Sequence, residues 1–177
     1  WGREYEGRAN SRLDTLVEWL DGVCRTDGPN GTKLWTDERV VIFTEYVDTL
    51  NWIRDVLQSN GYADGRLEVI EGATDKEERE LIRARFSAPP SEQPVRILLA
   101  TDAAGEGIDL QEHCHRLINF DIPFNPTRLE QRIGRIDRYG QAHNPQVFHF
   151  TPVGESKALL SGDAAFLARI ADKIARV

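Results

Sequence analysis

Apolar residues recur along this chain in two rhythms. Leu13, Leu16, Val17, Leu20 and Val23 fall at i, i+3, i+4, i+7 and i+10, which gathers them on one face of an α-helix. That spacing predicts a helix over 11–25, with Ser11 as its N-cap and Asp14 three residues on. Leu50, Ile53, Val56 and Leu57 predict a second helix over 47–57. A charged stretch over 75–86 predicts a third, with Leu81, Ile82 and Phe86 inward. Leu129, Ile133 and Ile136 predict another over 126–138, opened by Asn125 as N-cap and Pro126 as first helical residue. A terminal helix is expected over 159–177, carrying Leu160, Phe166, Ile170 and Ile174.

Between these lie short, unbroken apolar runs rich in Val, Ile and Leu. They are expected as buried strands over 39–44, 67–70, 95–101, 117–120 and 146–150. Residues 26–38 hold a Gly/Pro/Asn cluster and read as a surface loop, as does 87–94. Strands alternating with helices of this length imply an α/β fold, a mostly parallel central sheet flanked by helices on both faces.

Composition narrows the class. Of 177 residues, 40% are hydrophobic and 29% charged, which suits one packed domain and not a disordered chain. No apolar run reaches membrane-spanning length, so no membrane association is expected. Cys24 and Cys114 are the two cysteines, too few for a disulfide framework, and they point to a reducing, cytoplasmic setting. The chain has no methionine and begins Trp1-Gly2-Arg3-Glu4, so it is expected to be a piece of a longer protein.

The formal net charge of −7 argues against coating nucleic acid by bulk positive charge. Yet Arg128, Arg132, Arg135 and Arg138 crowd onto one stretch. On a continuous helix they form a stripe beside the apolar one, and like charges at i, i+4 repel. Gly134 inside such a helix costs about 1 kcal/mol against Ala and implies a close approach to the backbone. Stacked guanidinium groups there fit a phosphate or nucleotide, with a plain solvated face as the alternative. Small residues, hydroxyls and glycines also follow each strand, at the edge where open α/β sheets bind ligands. Tight strand-to-helix turns select the same residue types. His113-Cys114-His115 is not expected to bind metal, because neighbours point apart and no second ligand pair exists.

Four segments then carry a family resemblance over about 39–141. Thr101-Asp102-Ala103-Ala104-Gly105-Glu106-Gly107-Ile108-Asp109 looks like motif V of superfamily 2 helicases, and Gln131-Arg132-Ile133-Gly134-Arg135-Ile136-Asp137-Arg138 looks like motif VI. Val40-Val41-Ile42-Phe43-Thr44 resembles motif IV, and Gly72 through Arg79 to Phe86 resembles the segment after it. The chain is similar to the second, C-terminal RecA-like lobe of such a motor, a three-layer sandwich. Asp121-Ile122-Pro123-Phe124-Asn125-Pro126, Gln131 and Arg138-Tyr139-Gly140-Gln141 resemble the Swi/Snf-type translocases, most of all the bacterial branch with the RNA-polymerase recycling ATPase and phage-defence helicases. Asp109 stands where Swi/Snf proteins usually have Asn, and agrees instead with DEAD-box helicases.

The resemblance implies roles. Arg135 and Arg138 match the motif VI arginines that reach the γ-phosphate, with Arg138 first choice for the finger. Gly107, Asp109, Gln131 and Arg132 match ATP-binding positions; Asp109 lies near the ribose and Gln131 couples to the opposite lobe. Thr44, Gly72 and Thr101 match positions that hold the phosphates of the tracking strand. The implied cofactors are ATP and Mg²⁺, and the implied nucleic acid is double-stranded DNA. The implied protein partners are an N-terminal RecA-like lobe of the same protein and RNA polymerase or defence-system proteins. No phosphate-loop pattern occurs: Gly31-Thr32-Lys33 lacks a preceding strand, and Asp37-Glu38 precedes its strand instead of following it. The phosphate loop and the main Mg²⁺ carboxylates are therefore expected on the first lobe, and this chain alone is not expected to hydrolyse ATP. A non-catalytic nucleic-acid-binding module and a strand-separating RNA or DNA helicase are the alternatives. Residues 1–177 are expected to form one domain, with 156–177 as a helical extension.

Overall fold

The computed structural model describes residues 2–105, 108–123 and 125–150, with side chains from residue 12 onward except those of 104 and 105. The helical extension and terminal helix expected over 156–177 lie outside the described residues.

The first helix, α1, runs Gly2–Cys24. Leu13, Leu16, Leu20 and Cys24 are buried on its inner face. It begins earlier than the apolar stripe predicts, so Ser11 lies inside it and is no cap. Arg, Glu and Ala dominate 3–9, and such residues propagate a helix without an apolar face to announce it. Residues 26–38 are more than a loop. They hold an antiparallel hairpin of β1 (Arg25–Asp27) and β2 (Lys33–Trp35), with Arg25 opposite Trp35. The chain reverses at Pro29–Gly31, where Asn30 and Gly31 take positive φ of 60° and 74°. Three-residue strands are too short to show an alternation.

Five strands make the main sheet: β3 (Val40–Thr44), β4 (Leu67–Ile70), β5 (Ile97–Thr101), β6 (Arg116–Asn119) and β7 (Gln146–His149). They lie in the order β4-β5-β3-β6-β7, and every neighbouring pair is parallel. Every residue of β3 and β5 is buried, as strands covered on both faces require. Period-two alternation splits their side chains between two cores. Val40 and Ile42 join Leu13, Leu16 and Leu20 of α1 and Leu50, Ile53 and Leu57 of α2 (Val47–Ser59). Val41 and Phe43 join Ile82 and Phe86 of α3 (Lys76–Ser87) on the other face, with Ile108, Leu117 and Ile136. This is the three-layer sandwich expected.

Two helices follow at the carboxyl end of the sheet: the short α4 (Asp102–Gly105), absent from the sequence reading, and α5 (Pro126–Ile133). The helix expected over 126–138 stops at Ile133. Gly134 is its C-cap, and 134–136 form a turn. Gly134 is a poor helix residue, and what approaches it is the preceding turn, with Glu130 O 3.4 Å from the place a Cβ would take. Ile136 continues the apolar pattern because the turn itself is anchored in the core, not because the helix continues.

Two buried arginines hold the loop from α3 to β5. Arg39 donates to the carbonyls of Phe86, Ala88 and Val95, and burial pushes its pKa down to about 10. Arg96 donates to Thr36, Gln93 and Pro90 carbonyls. The inward assignment of Leu81 is corrected: α3 buries Ile82 and Phe86, while Leu81 is 58% exposed. Ile82→Ala is expected to cost about 2–5 kcal/mol by leaving a cavity, and Leu81→Ala less than about 0.5 kcal/mol. Urea-unfolding midpoints check this; equal losses would contradict the orientation of α3.

Candidate nucleotide and nucleic-acid site

The carboxyl ends of β5, β3 and β6 bring polar residues together. Thr44 lies opposite Thr101, and Phe43 opposite Asn119, in the parallel register. Asp102 follows β5 and Asp121 follows β6 by two residues. Over this edge lies α5, started by Asn125, whose side chain accepts from Thr127 N at 3.0 Å, and by Pro126.

Arg132 points from α5 into that polar set and is only 3% exposed. Its Nε donates to Asp102 Oδ1 at 2.5 Å. Its Nη1 donates to Asn119 Oδ1 at 2.8 Å and to the Asp121 carbonyl at 2.9 Å. Its Nη2 reaches Asp121 Oδ1 at 3.5 Å, and the guanidinium carbon lies 5.6 Å from the Phe43 ring centroid. Asp121 in turn accepts from Thr44 Oγ1 at 2.5 Å and from the Glu45 amide at 2.9 Å. His149, at the end of β7, has its pKa pushed down by burial and by the Arg132 charge. The Thr101 hydroxyl is buried and finds no partner among the described residues.

The four arginines do not form one face. Arg128 pairs with Glu45 at 3.0 Å and lies 3.8 Å from Asp102. Arg132 is enclosed. Arg135 and Arg138 come after the helix has ended, on the rim. The Arg135 carbonyl accepts from Leu110 N at 3.0 Å, which draws the 108–110 segment against the turn. Arg138 forms an ion pair with Asp109; the two side chains are 48% and 49% exposed. Arg135 makes no ion pair among the described residues, and Gln131 is exposed.

The structure therefore separates the predicted residues into groups. Asp109, Gln131 and Arg138 lie at the exposed rim, with the half-buried Arg135 beside them. Thr44 and Thr101 are adjacent but buried, and Gly72 is exposed beyond β4, the neighbour of β5. Arg132, read as an ATP-binding position, has its Nε and Nη1 bonded within the chain and its Nη2 against Asp121, out of reach of a ligand at the rim. Gly107 lies outside the described residues. The sequence reading assigned no role to Asp102, Asn119 or Asp121. Their signal was present, since each acid or amide stands at or just after a strand's last residue, where a buried cation can collect them.

The sequence pattern of the helicase conserved C-terminal domain matches residues 31–140, more than half of the chain. The chain belongs to this helicase family. Its curated relatives include the ATP-dependent helicase YqhH of Bacillus subtilis, 38% identical over 113 residues, covering 64% of this chain and 19% of YqhH. They also include the RNA polymerase-associated protein RapA of Erwinia tasmaniensis, 31% identical over 148 residues, covering 82% of this chain and 14% of RapA. The chain thus spans under a fifth of the length of these relatives, which place it in the Swi/Snf-like branch of superfamily 2. The C-terminal part of the Fun30 ATPase domain superimposes with a TM-score of 0.64 over 78% of this chain and 40% of that one, at 24% identity. Saccharomyces cerevisiae Dbp5 bound to RNA and ADP BeF3 superimposes with a TM-score of 0.62 over 85% of this chain and 34% of that one, at 24% identity. Both show the fold: a RecA-like helicase C-terminal lobe.

Within this helicase lobe, the unequal surroundings of the arginines have a measurable consequence. Arg132→Ala leaves Asp102 and Asp121 without their cation and is expected to cost about 3–5 kcal/mol. Arg128→Ala removes a half-exposed pair and is expected to cost under about 1 kcal/mol. Thermal or urea unfolding reads both, and similar costs would contradict the burial of Arg132.

Proposed function

We propose that this chain is the second motor lobe of an ATP-dependent, Swi/Snf-like translocase on double-stranded DNA, working against an N-terminal RecA-like lobe of the same protein. The observation that carries this reading is the division of the arginines. Arg132 is enclosed in the lobe, whereas Arg138 is half-exposed at its rim and the half-buried Arg135 makes no ion pair among the described residues. A half-exposed ion pair such as Arg138–Asp109 is worth only about 0–1 kcal/mol, so Arg138 can leave it for a phosphate.

The rim residues fit a nucleotide. Arg135 and Arg138 keep their charge and offer planar donor forks suited to phosphate oxygens. Asp109 offers acceptors for ribose hydroxyls, and the exposed amide of Gln131 is available to the opposite lobe. Gly107 joins this group on the family resemblance. ATP supplies the phosphoanhydride to be cleaved; this lobe supplies positive charge where it develops during phosphoryl transfer. Asp102 and Asp121 are both held by Arg132, which supports a Mg²⁺ site formed mainly by the other lobe.

Gly72, Thr101 and Thr44 follow or end β4, β5 and β3, which are consecutive in the sheet; Gly72 is open to a phosphate, whereas contacts at the buried Thr44 and Thr101 require the strand ends to open. Hydroxyl and backbone donors touch phosphate without reading sequence, as a translocase requires. Such local contacts are compatible with a net charge of −7. The likeness to RapA puts RNA polymerase forward as a partner.

In the full-length protein, Arg138→Ala is expected to lower DNA-stimulated ATP hydrolysis by about 10³-fold or more, the worth of an arginine finger. An unchanged rate would overturn the finger assignment and favour a non-catalytic binding module.

A further inference from the structure

We propose that Gln141 is the positioning residue of Arg138: its side-chain amide locks the turn that carries this arginine to the buried segment leading into β6. The inference rests on the motor reading above, in which Arg138 is the finger, and gives a role to a residue which that reading leaves without one.

Arg138 has little of its own to hold it. Its ion pair with Asp109 joins two half-exposed groups and contributes little. The helix that could have fixed it stops five residues earlier, at Ile133. Ile136 is fully buried, but Asp137, Arg138, Tyr139 and Gly140 are all exposed. A charge that must meet a transferring phosphate needs placement to within about 0.5 Å, and an error of about 1 Å can cost about 10²-fold in rate. The backbone that carries Arg138 therefore needs an anchor beyond α5.

Gln141 supplies it. Its backbone N donates to the Arg138 carbonyl at 3.1 Å, closing a four-residue turn in which Gly140 takes a positive φ of 97°. Its side-chain Nε2 donates to the Ile136 carbonyl at 2.9 Å. Bonds from one residue thus hold the backbone at Arg138 and two residues before it. Nε2 also donates to the Cys114 carbonyl at 3.0 Å. Cys114 is buried, its N donates to the Leu110 carbonyl, and Leu110 N donates to the Arg135 carbonyl. The turn is therefore tied through both Arg135 and Gln141 to the 110–114 segment, which begins beside Asp109. The amide oxygen of Gln141 accepts from His143 N at 3.0 Å, at the start of the path to β7. Two donors for two carbonyls and an acceptor for an N–H are what a side-chain amide offers and what neither an ammonium nor a carboxylate can. A glutamate of the same shape turns a bare oxygen on the two carbonyls. A leucine leaves both carbonyls and the His143 N–H without this partner.

The test is a double-mutant cycle on ATP hydrolysis by the full-length protein at saturating duplex DNA. Gln141→Leu and Gln141→Glu are each made in the wild type and together with Arg138→Ala. In the wild-type background both are expected to lower kcat by about 10- to 100-fold and to leave the ATP KM within about threefold, because a finger acts in the transition state. In the Arg138→Ala background they are expected to lower the residual single-turnover rate by less than about twofold, because no finger remains to be misplaced. A merely structural role lowers the rate by the same factor in both backgrounds. Equal factors, an unchanged kcat in the Gln141 variants, or loss of folding in both of them, read by thermal melting, overturns the positioning proposal alone. A wild-type rate in Arg138→Ala overturns the finger assignment and this proposal with it.

Discussion

A guanidinium withdrawn from water must find acceptors for its donors and negative charge for its cation, or the fold that buries it is not stable. At the carboxyl edge of this sheet, Arg132 meets that demand with Asp102, Asn119 and Asp121. Those three residues come from the ends of two strands separated by a third, so satisfying the cation fixes β5, β3 and β6 relative to each other and seats α5 across them. The candidate residues at this edge are placed by this tie. Thr44 is oriented by Asp121, Thr101 stands beside Thr44 in register, and the turn with Arg135 and Arg138 begins one residue after α5 ends.

The same tie explains how an acidic chain can present usable positive charge. Most basic groups around the site are compensated locally: Arg128 by Glu45, and Arg132 by Asp102 and Asp121. Arg138 has a weak, half-exposed partner in Asp109, and Arg135 makes no ion pair among the described residues. Positive charge without a buried partner is thereby left at these two side chains. Arg132 is thus buried and fully engaged, Arg135 half-buried and Arg138 half-exposed.

Much of this was legible in the chain itself. Five parallel strands were visible as apolar runs because both faces of the sheet are covered, and α2 and α3 because their buried positions recur at helical spacing. The hairpin was not, since three residues cannot display a period. The end of α5 was misplaced because Ile136 fits the helical stripe equally well from a turn anchored in the core. Leu81 adjoins the buried stripe of α3 and faces out, a distinction that depends on how the helix rolls against the sheet. The candidate site was located by its motifs, but its internal division was hidden. Arg128 and Arg132 sit four residues apart on one helix, and the tertiary fold buries one and leaves the other half-exposed.

The central claim is that Arg132 and Asp121 act as one unit, and a double-mutant cycle measures that directly. Unfolding free energies of the wild type, Arg132→Met, Asp121→Asn and the double variant give the interaction between the two side chains. A coupling of about 0.5–3 kcal/mol is expected for partners in one buried network. Losses that add to within about 0.3 kcal/mol would show the two residues to be independent and would contradict this account of the edge.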